Sequence, residues 1–155
     1  MNWKEYISKI HLTDKATTFK FNPPVTNAVL QDLLFHLGLD ELPLELEELY
    51  RQANGIEQTL DGQEIGELIW PASKAVQINR EYRSQPDFKN LYMSFDQLFS
   101  ISDAGNGDLF GFVTLNGKFY RRDIFVWNHE DDSRTWVAPD LAKFIEWWAD
   151  GTISV

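Results

Sequence analysis

Apolar residues recur at helical spacing in two segments of the first half of the chain, residues 2–10 and residues 24–37. Asn2 precedes Glu5 by three residues, as in a capping box, and the apolar residues that follow predict a short helix. A longer helix is predicted over residues 24–37, because leucines repeat every three or four positions. Thr26 is its expected N-cap, and Gly38 is the expected left-handed residue at its end.

Three further segments have the same periodicity. One helix is predicted to start at Pro43 and to end at Asn54-Gly55. The next is predicted to start at a Ser73 cap and to run to about Ser84, where Pro86 stops it. The last covers about 139–150 and ends at Gly151.

Short runs rich in β-branched and aromatic residues predict strands between these helices. Residues 98–102 and 109–115 are separated by a glycine-bearing loop, and Asn116-Gly117 favours a type I′ turn into another strand from Lys118. Further strands are predicted as follows: an extended segment over 13–22 in which Phe19 and Phe21 alternate with polar residues, and strands at 68–70, 123–127 and 135–138.

This order predicts an α+β fold with one domain, in which helices flank an antiparallel meander sheet. Residues 1–22 are expected to form a helical and extended segment packed on the domain, and residues 23–155 the domain itself.

Composition limits the classes of protein to which the chain can belong. The chain has 155 residues, 43% of them hydrophobic, and a mean hydropathy of -0.36, values typical of a globular domain. Neither a membrane span nor a secretory signal is recognisable, so a cytoplasmic protein without a membrane partner is expected. The chain has no cysteine, which excludes thiol catalysis and disulfides.

The net charge of -10 makes nucleic acid a poor partner, since duplex binding relies on basic residues that neutralise phosphates. Residues 40–67 hold nine acids and one base, Arg51. Two interpretations of this acidic span stay open: a solvated face that keeps the protein soluble, or a surface that attracts a cationic protein.

Two stretches have the residue types of a metal site but not its spacing. The run from His129 to Asp132 supplies one histidine where HExxH needs two. In the loop 103–108, Asp103, Asn106 and Asp108 fall at positions 1, 4 and 6, and a calcium loop uses 1, 3 and 5. No metal and no cofactor are expected, and the loop is interpreted as a glycine-dependent hairpin loop. No motif for nucleophilic catalysis stands out, so a small hydrolase remains only a third hypothesis.

The six tryptophans are expected mostly in the core. Trp147 and Trp148 point about 100° apart on the last helix, so both cannot be central on one face. Trp147 is therefore a candidate for a groove or an interface, and Trp70 and Trp127 are candidates for exposed anchors of a partner.

Four segments together resemble the SUKH superfamily, the Smi/Knr-type fold named after fungal regulators of cell-wall synthesis. They are LPLELEELYRQANGIE at 42–57, LIWPASKAVQINREYR at 68–83, FSISDAGNGDLFGF at 99–112 and IFVWNHEDDSRTWVAPDLAKFIEWW at 124–148. The chain departs from the family pattern at Asn128, where aspartate is usual, at Pro139, where serine is usual, and in its additional N-terminal segment.

The resemblance implies a non-enzymatic protein that binds another protein. Bacterial members are immunity proteins against polymorphic toxins, often nucleases, so a basic cognate toxin is the expected partner, bound by a monomer or weak dimer. The alternative is a regulatory or scaffold module of the cell-wall-regulator type. The expected contact residues are Glu45, Glu48, Glu57, Asp61, Glu64, Glu67, Trp70, Asp103, Asn106, Asp108, His129, Glu130 and Asp131.

Overall fold

The computed structural model describes residues 1–12, 14 and 16–155 and has an α+β fold. Its helices are α1 (Trp3–Ser8), α2 (Asn27–Leu37), α3 (Leu44–Gln52), α4 (Ala72–Ser84) and α5 (Leu141–Ala149), with a short 3₁₀ helix at Pro86–Asn90. Its strands are β1 (Thr17–Phe21), β2 (Ile56–Leu60), β3 (Gln63–Ile69), β4 (Leu98–Asp103), β5 (Leu109–Val113), β6 (Ile124–Trp127) and β7 (Arg134–Ala138). The predicted fold class is confirmed.

The predicted meander forms a four-stranded antiparallel sheet in the order β4-β5-β6-β7. A Cβ atom at Gly111 of β5 would overlap the carbonyl group of Phe99 in β4, so only glycine fits at this point of the pair. The Asn116-Gly117 turn forms as predicted, with φ of 52° and 77°. The strand expected from Lys118 is wrong, because only a single bridge joins Lys118 to Leu115.

A second antiparallel sheet, in the order β1-β2-β3, was not predicted from the sequence. The sequence analysis expected one sheet and gave this region an extended segment and a short strand at 68–70. The β2–β3 hairpin reverses at Asp61 and Gly62, which have φ of 51° and 81°, as a type I′ turn requires. The predicted extended segment starts at Thr13, which lies outside the described residues, and its later part forms β1.

The two sheets meet where β3 ends. The backbone N–H of Trp70 donates to the carbonyl oxygen of Ile101 in β4 at 2.9 Å. Apolar side chains from both sheets and from α1, α2, α3 and α5 form the main core, in which Leu33, Leu46, Phe110 and Phe144 are fully buried. A smaller aromatic cluster lies under α4 and includes Trp70, Phe95 and Trp127.

Most of the predicted helix ends are confirmed. Asn2 Oδ1 accepts from Glu5 N at 3.0 Å, Thr26 Oγ1 accepts from Val29 N at 3.3 Å, and Gly38 has a left-handed φ of 63°. The Ser73 cap of α4 is wrong, because α4 starts at Ala72 and Ser73 already lies inside the helix. Asn54 Oδ1 instead accepts from Ala72 N at 2.8 Å.

The N-terminal segment contributes buried residues. Trp3 and Ile7 of α1 are 1% and 2% exposed, and the Tyr6 hydroxyl donates to Glu146 of α5 at 2.9 Å. The Tyr6 pKa is raised by burial and by this carboxylate. The boundary between residues 22 and 23 stays a prediction.

Candidate partner-binding surface

The β4–β5 loop and the β6–β7 turn meet at one end of the four-stranded sheet. Leu109 of β5 pairs with Asp103 of β4 on one side and with Trp127 of β6 on the other. The loop after β4 and the turn after β6 are therefore neighbours. His129 Nδ1 lies 2.6 Å from Asp108 Oδ1, and His129 N donates to the same oxygen at 3.1 Å. This loop cluster, residues 103–108 and 128–133, brings six of the thirteen expected contact residues together.

Asp108 positions His129 and is not itself a contact surface. Asp108 is 2% exposed, whereas the His129 side chain is 38% exposed. Gly107, with φ of 105°, lies against the imidazole, and a Cβ there would be 3.0 Å from His129 Nδ1. The expectation of a contact is therefore wrong for Asp108, because the carboxylate is used inside the cluster to fix the orientation of the imidazole.

Two of the tryptophans expected as exposed anchors are buried. Trp70 is 1% exposed and its Nε1 donates to Asp103 Oδ2 at 2.8 Å. Trp127 is 2% exposed and donates in the same way to Asp132 Oδ1 at 2.7 Å. The prediction that Trp70 and Trp127 are exposed anchors is therefore wrong, and both are core residues. Each indole N–H donates to a carboxylate, because a buried N–H group needs a hydrogen-bond acceptor. Trp147 is half-buried and remains a candidate.

Asp132 is a structural residue of the loop cluster that the sequence analysis did not select. Burial raises its pKa, but hydrogen bonds from Met93 N and the Trp127 indole, together with the charge of Arg134, lower the pKa below its usual value overall. Asp132 also has a left-handed φ of 62°, which aspartate tolerates better than most residues. In the sequence, only the two consecutive aspartates of the predicted turn pointed to a structural role for Asp132.

Three expected contact residues are exposed on the loop cluster: Asn106, Glu130 and Asp131. Asn106 Oδ1 and Asp131 Oδ1 accept from the N–H groups two residues ahead, so both side chains stiffen their turns. The hydrogen bonds from Ser133 lower the Asp131 pKa. The Glu130 carboxylate has no hydrogen bond or ion pair among the described residues, so it is free to meet a partner.

The acidic span does not form one uninterrupted negative surface. Six of its nine acids make ion pairs, which are Asp40–Lys118, Glu45–Arg122, Glu47–Arg51, Glu48 with the N-terminal amine, Glu57–Lys20 and Glu67–Lys74. Glu41, Asp61 and Glu64 have no ion pair within the described part of the chain. The free negative charge of the span is therefore at the β2–β3 turn and just before α3.

A chain of contacts joins the base of the β2–β3 hairpin to the loop cluster. Glu57 pairs in register with Glu67, and the Lys74 ammonium lies 2.5 Å from Glu67 and 5.6 Å from the centre of the Trp70 ring. Trp70 then donates to Asp103. Glu45 and Glu48 lie instead on α3, so the expected contact residues fall on two surfaces and not on one.

An open groove that sequence reasoning missed lies between α2 and α3. Its volume is about 650 Å³, and its floor is formed by apolar residues from four parts of the chain: Leu30, Leu34, Leu42, Phe112 and Phe119. Glu45 lies on its rim, where it accepts from Arg122 at 2.9 Å. We call this feature the α2–α3 groove. The floor residues are scattered over about 90 positions of sequence, so no local pattern indicates the groove.

The fold and the surface define an α+β domain with exposed polar loops at one sheet end and an apolar groove between two helices. The family model described as SUKH_6, SMI1-KNR4 cell-wall, matches residues 37–145. The chain therefore belongs to the SUKH superfamily. No curated protein matches the chain.

The described residues lack two features that would indicate a particular kind of site. They contain no helix that is both long enough and apolar enough to cross a membrane. They also contain no group of three or more histidines, aspartates or glutamates placed to hold a metal ion.

Proposed function

We propose that this chain is a cytoplasmic immunity protein that binds and neutralises a bacterial polymorphic toxin without catalysing a reaction. The observation that carries the proposal is membership of the SUKH superfamily, which is consistent with an immunity-type or SMI1/KNR4-type function. A family of this kind acts through protein–protein contact, so the exposed surface is where function is expressed.

The charge distribution supports a basic toxin, with a nuclease as the expected class. Nuclease domains hold phosphates and therefore present cationic surfaces. The chain has a net charge of -10, and Asp61, Glu64, Glu130 and Asp131 are exposed carboxylates without an ion pair among the described residues. Complementary charge accelerates association and disfavours wrong partners. Glu57, Glu67 and Asp103 add less free charge, because each is half-buried and already paired, with Lys20, Lys74 and Trp70 respectively. Asn106 and His129 lie beside Glu130 and Asp131 in the loop cluster.

Co-expression tests the proposal directly. The genes beside that of this chain are first inspected for a toxin domain, which the proposal predicts to be there; that domain is then co-expressed with the chain, and growth and complex formation are measured. We expect restored growth and a complex that co-purifies, with an inactive toxin variant as the control for toxicity. Failure of both rescue and complex formation with that toxin would contradict the immunity function.

The second candidate is a regulatory or scaffold module, and the family description favours it because it refers to a cell-wall protein. Affinity purification from native cells separates the two. A cell-wall or signalling assembly recovered in constant proportion, with no toxin bound, is the result that the regulatory function predicts.

A further inference from the structure

The α2–α3 groove is flanked by apolar side chains that the fold does not cover. Leu44, the first residue of α3, lines the groove and is 70% exposed. Tyr120 lies between the two lining residues Phe119 and Arg121 and is 73% exposed. An apolar floor with one exposed apolar residue on its wall and another between two lining residues is typical of a surface that another protein covers. A small ligand that filled the groove would leave the Tyr120 side chain in water, because Tyr120 is not one of the lining residues.

The charges of the rim distinguish between occupants. The three arginines that line the groove are each already paired, Arg51 with Glu47, Arg121 with Asp123 and Arg122 with Glu45. Glu41 is the lining carboxylate that has no ion pair in the part of the chain that the structure describes. The groove therefore offers an unmatched negative charge and no unmatched positive charge. It complements a basic segment.

A second copy of this chain fits the groove less well. Each copy has a net charge of -10, so two copies repel each other on approach. A basic segment of a different protein has the opposite charge and is attracted to the same rim.

The length of the groove sets the size of the segment. Its wall on α3 runs from Leu44 to Arg51, seven residues apart, which is about 10 Å at the rise of an α-helix. Two turns of a helix have this length, and they present apolar side chains at positions i, i+3 or i+4, and i+7. Laying such a face into an apolar groove is a common mode of peptide recognition.

We infer that the α2–α3 groove binds a basic amphipathic helix of the partner protein, with about three apolar side chains on the floor and a lysine or arginine at Glu41. The inference rests on the proposed function for the identity of the partner, since it assigns this helix to the toxin. The groove is a second contact, apart from the loop cluster, and it contributes the apolar part of the interface.

Defined peptides test the groove without knowledge of the toxin. The probe is a fluorescein-labelled 14-residue helix with leucines on one face and lysines elsewhere, and its binding is measured by fluorescence anisotropy. A version with glutamates in place of the lysines, and a lysine version with the leucines scattered around the helix, should both bind at least about tenfold more weakly.

Matched variants locate the binding. Leu44→Asp and Glu41→Lys should each weaken binding of the lysine peptide at least about fivefold, whereas Leu91→Asp and Asp87→Lys should leave it within about twofold. Leu91 is 68% exposed, a fraction similar to the 70% of Leu44. It lies directly after the 3₁₀ helix and does not line the groove. Asp87→Lys makes the same change of net charge as Glu41→Lys. Leu44→Asp is expected to fold, because an acid in the first turn of a helix is favourable.

The inference would be overturned if the groove variants and the control variants bound the lysine peptide equally well. It would also be overturned if this chain formed a concentration-dependent dimer that Leu44→Asp dissociates. The toxin experiments separate this failure from a failure of the proposed function. If wild type rescues growth and Leu44→Asp binds the toxin as tightly as wild type does, the groove assignment fails alone. If the peptide results hold but wild type neither rescues growth nor binds the toxin, the immunity function fails alone.

Discussion

Asn54 caps α4 from a distance of 18 residues, in place of the neighbouring Ser73. Its Oδ1 accepts from Ala72 N at 2.8 Å, and its backbone N–H donates to Pro23 at 2.9 Å. We expect Asn54→Ala to lower the free energy of unfolding by about 1–2 kcal/mol, because the first amide of α4 then loses its acceptor. Urea unfolding measures this change.

Ser73→Ala is the matched control, because Ser73 is exposed and makes no cap in the structure. Its free energy of unfolding should stay within about 0.5 kcal/mol of wild type. If Ser73→Ala lowered the free energy of unfolding more than Asn54→Ala does, Ser73 and not Asn54 would be the cap of α4.

Residues whose partners lie nearby in sequence were predictable, and those with distant partners were not. The caps at Asn2 and Thr26 bond to amides three residues ahead, so a local pattern reveals them. Trp70 donates to Asp103, which lies 33 residues away, and no local pattern shows that this indole is buried. The same limit applies to Asp108, whose pairing with His129 depends on the register of β5 with β6.

The β2–β3 hairpin depends on the turn at Asp61-Gly62. We expect Gly62→Ala to lower the free energy of unfolding by about 1 kcal/mol, because Gly62 has φ of 81° and an added Cβ makes this left-handed conformation unfavourable. Nothing lies within 4 Å of that Cβ, so the cost is conformational and not a clash. Urea unfolding of the purified variant checks the value.

Gly66 in the same hairpin is the control. An added Cβ there also meets nothing within 4 Å, but its backbone is not left-handed. Gly66→Ala should leave the free energy of unfolding unchanged or raise it by up to about 1 kcal/mol, as alanine loses less freedom than glycine on folding. Similar losses for the two variants would show that the turn conformation is not what glycine supplies.

The elements of the second sheet were harder to predict than those of the first. β4, β5 and β6 are rich in aromatic and β-branched residues, and all three were predicted. β2 and β3 contain glutamates and glutamines in half-exposed or exposed positions, which hide the alternation typical of a strand. The Asp61-Gly62 dipeptide is a recognised hairpin signal and was the part of the pattern that could have revealed them.

At the scale of the whole molecule, the ion pairs determine which of the many carboxylates can attract a basic partner from a distance. Glu45 is 16% exposed and paired with Arg122, so its charge is largely neutralised, while Asp61 and Glu64 are exposed and unpaired among the described residues. Charge reversal at Glu45 and Glu48 therefore tests steering less well than reversal at the hairpin turn. We therefore propose different roles for the two features: the groove holds the partner, and the hairpin turn attracts it.

We expect the double variant Asp61→Lys and Glu64→Lys to associate with the toxin at least about fivefold more slowly than wild type at about 0.01 M salt. The difference should vanish at about 1 M salt, where the Debye length shrinks from about 30 Å to about 3 Å. The control, Asp32→Lys with Asp87→Lys, changes the net charge equally at two other exposed sites. Stopped-flow association rates at both salt concentrations distinguish local steering from the effect of total charge. Equal slowing of the two double variants would assign steering to the net charge of -10 and remove the hairpin turn from the approach surface.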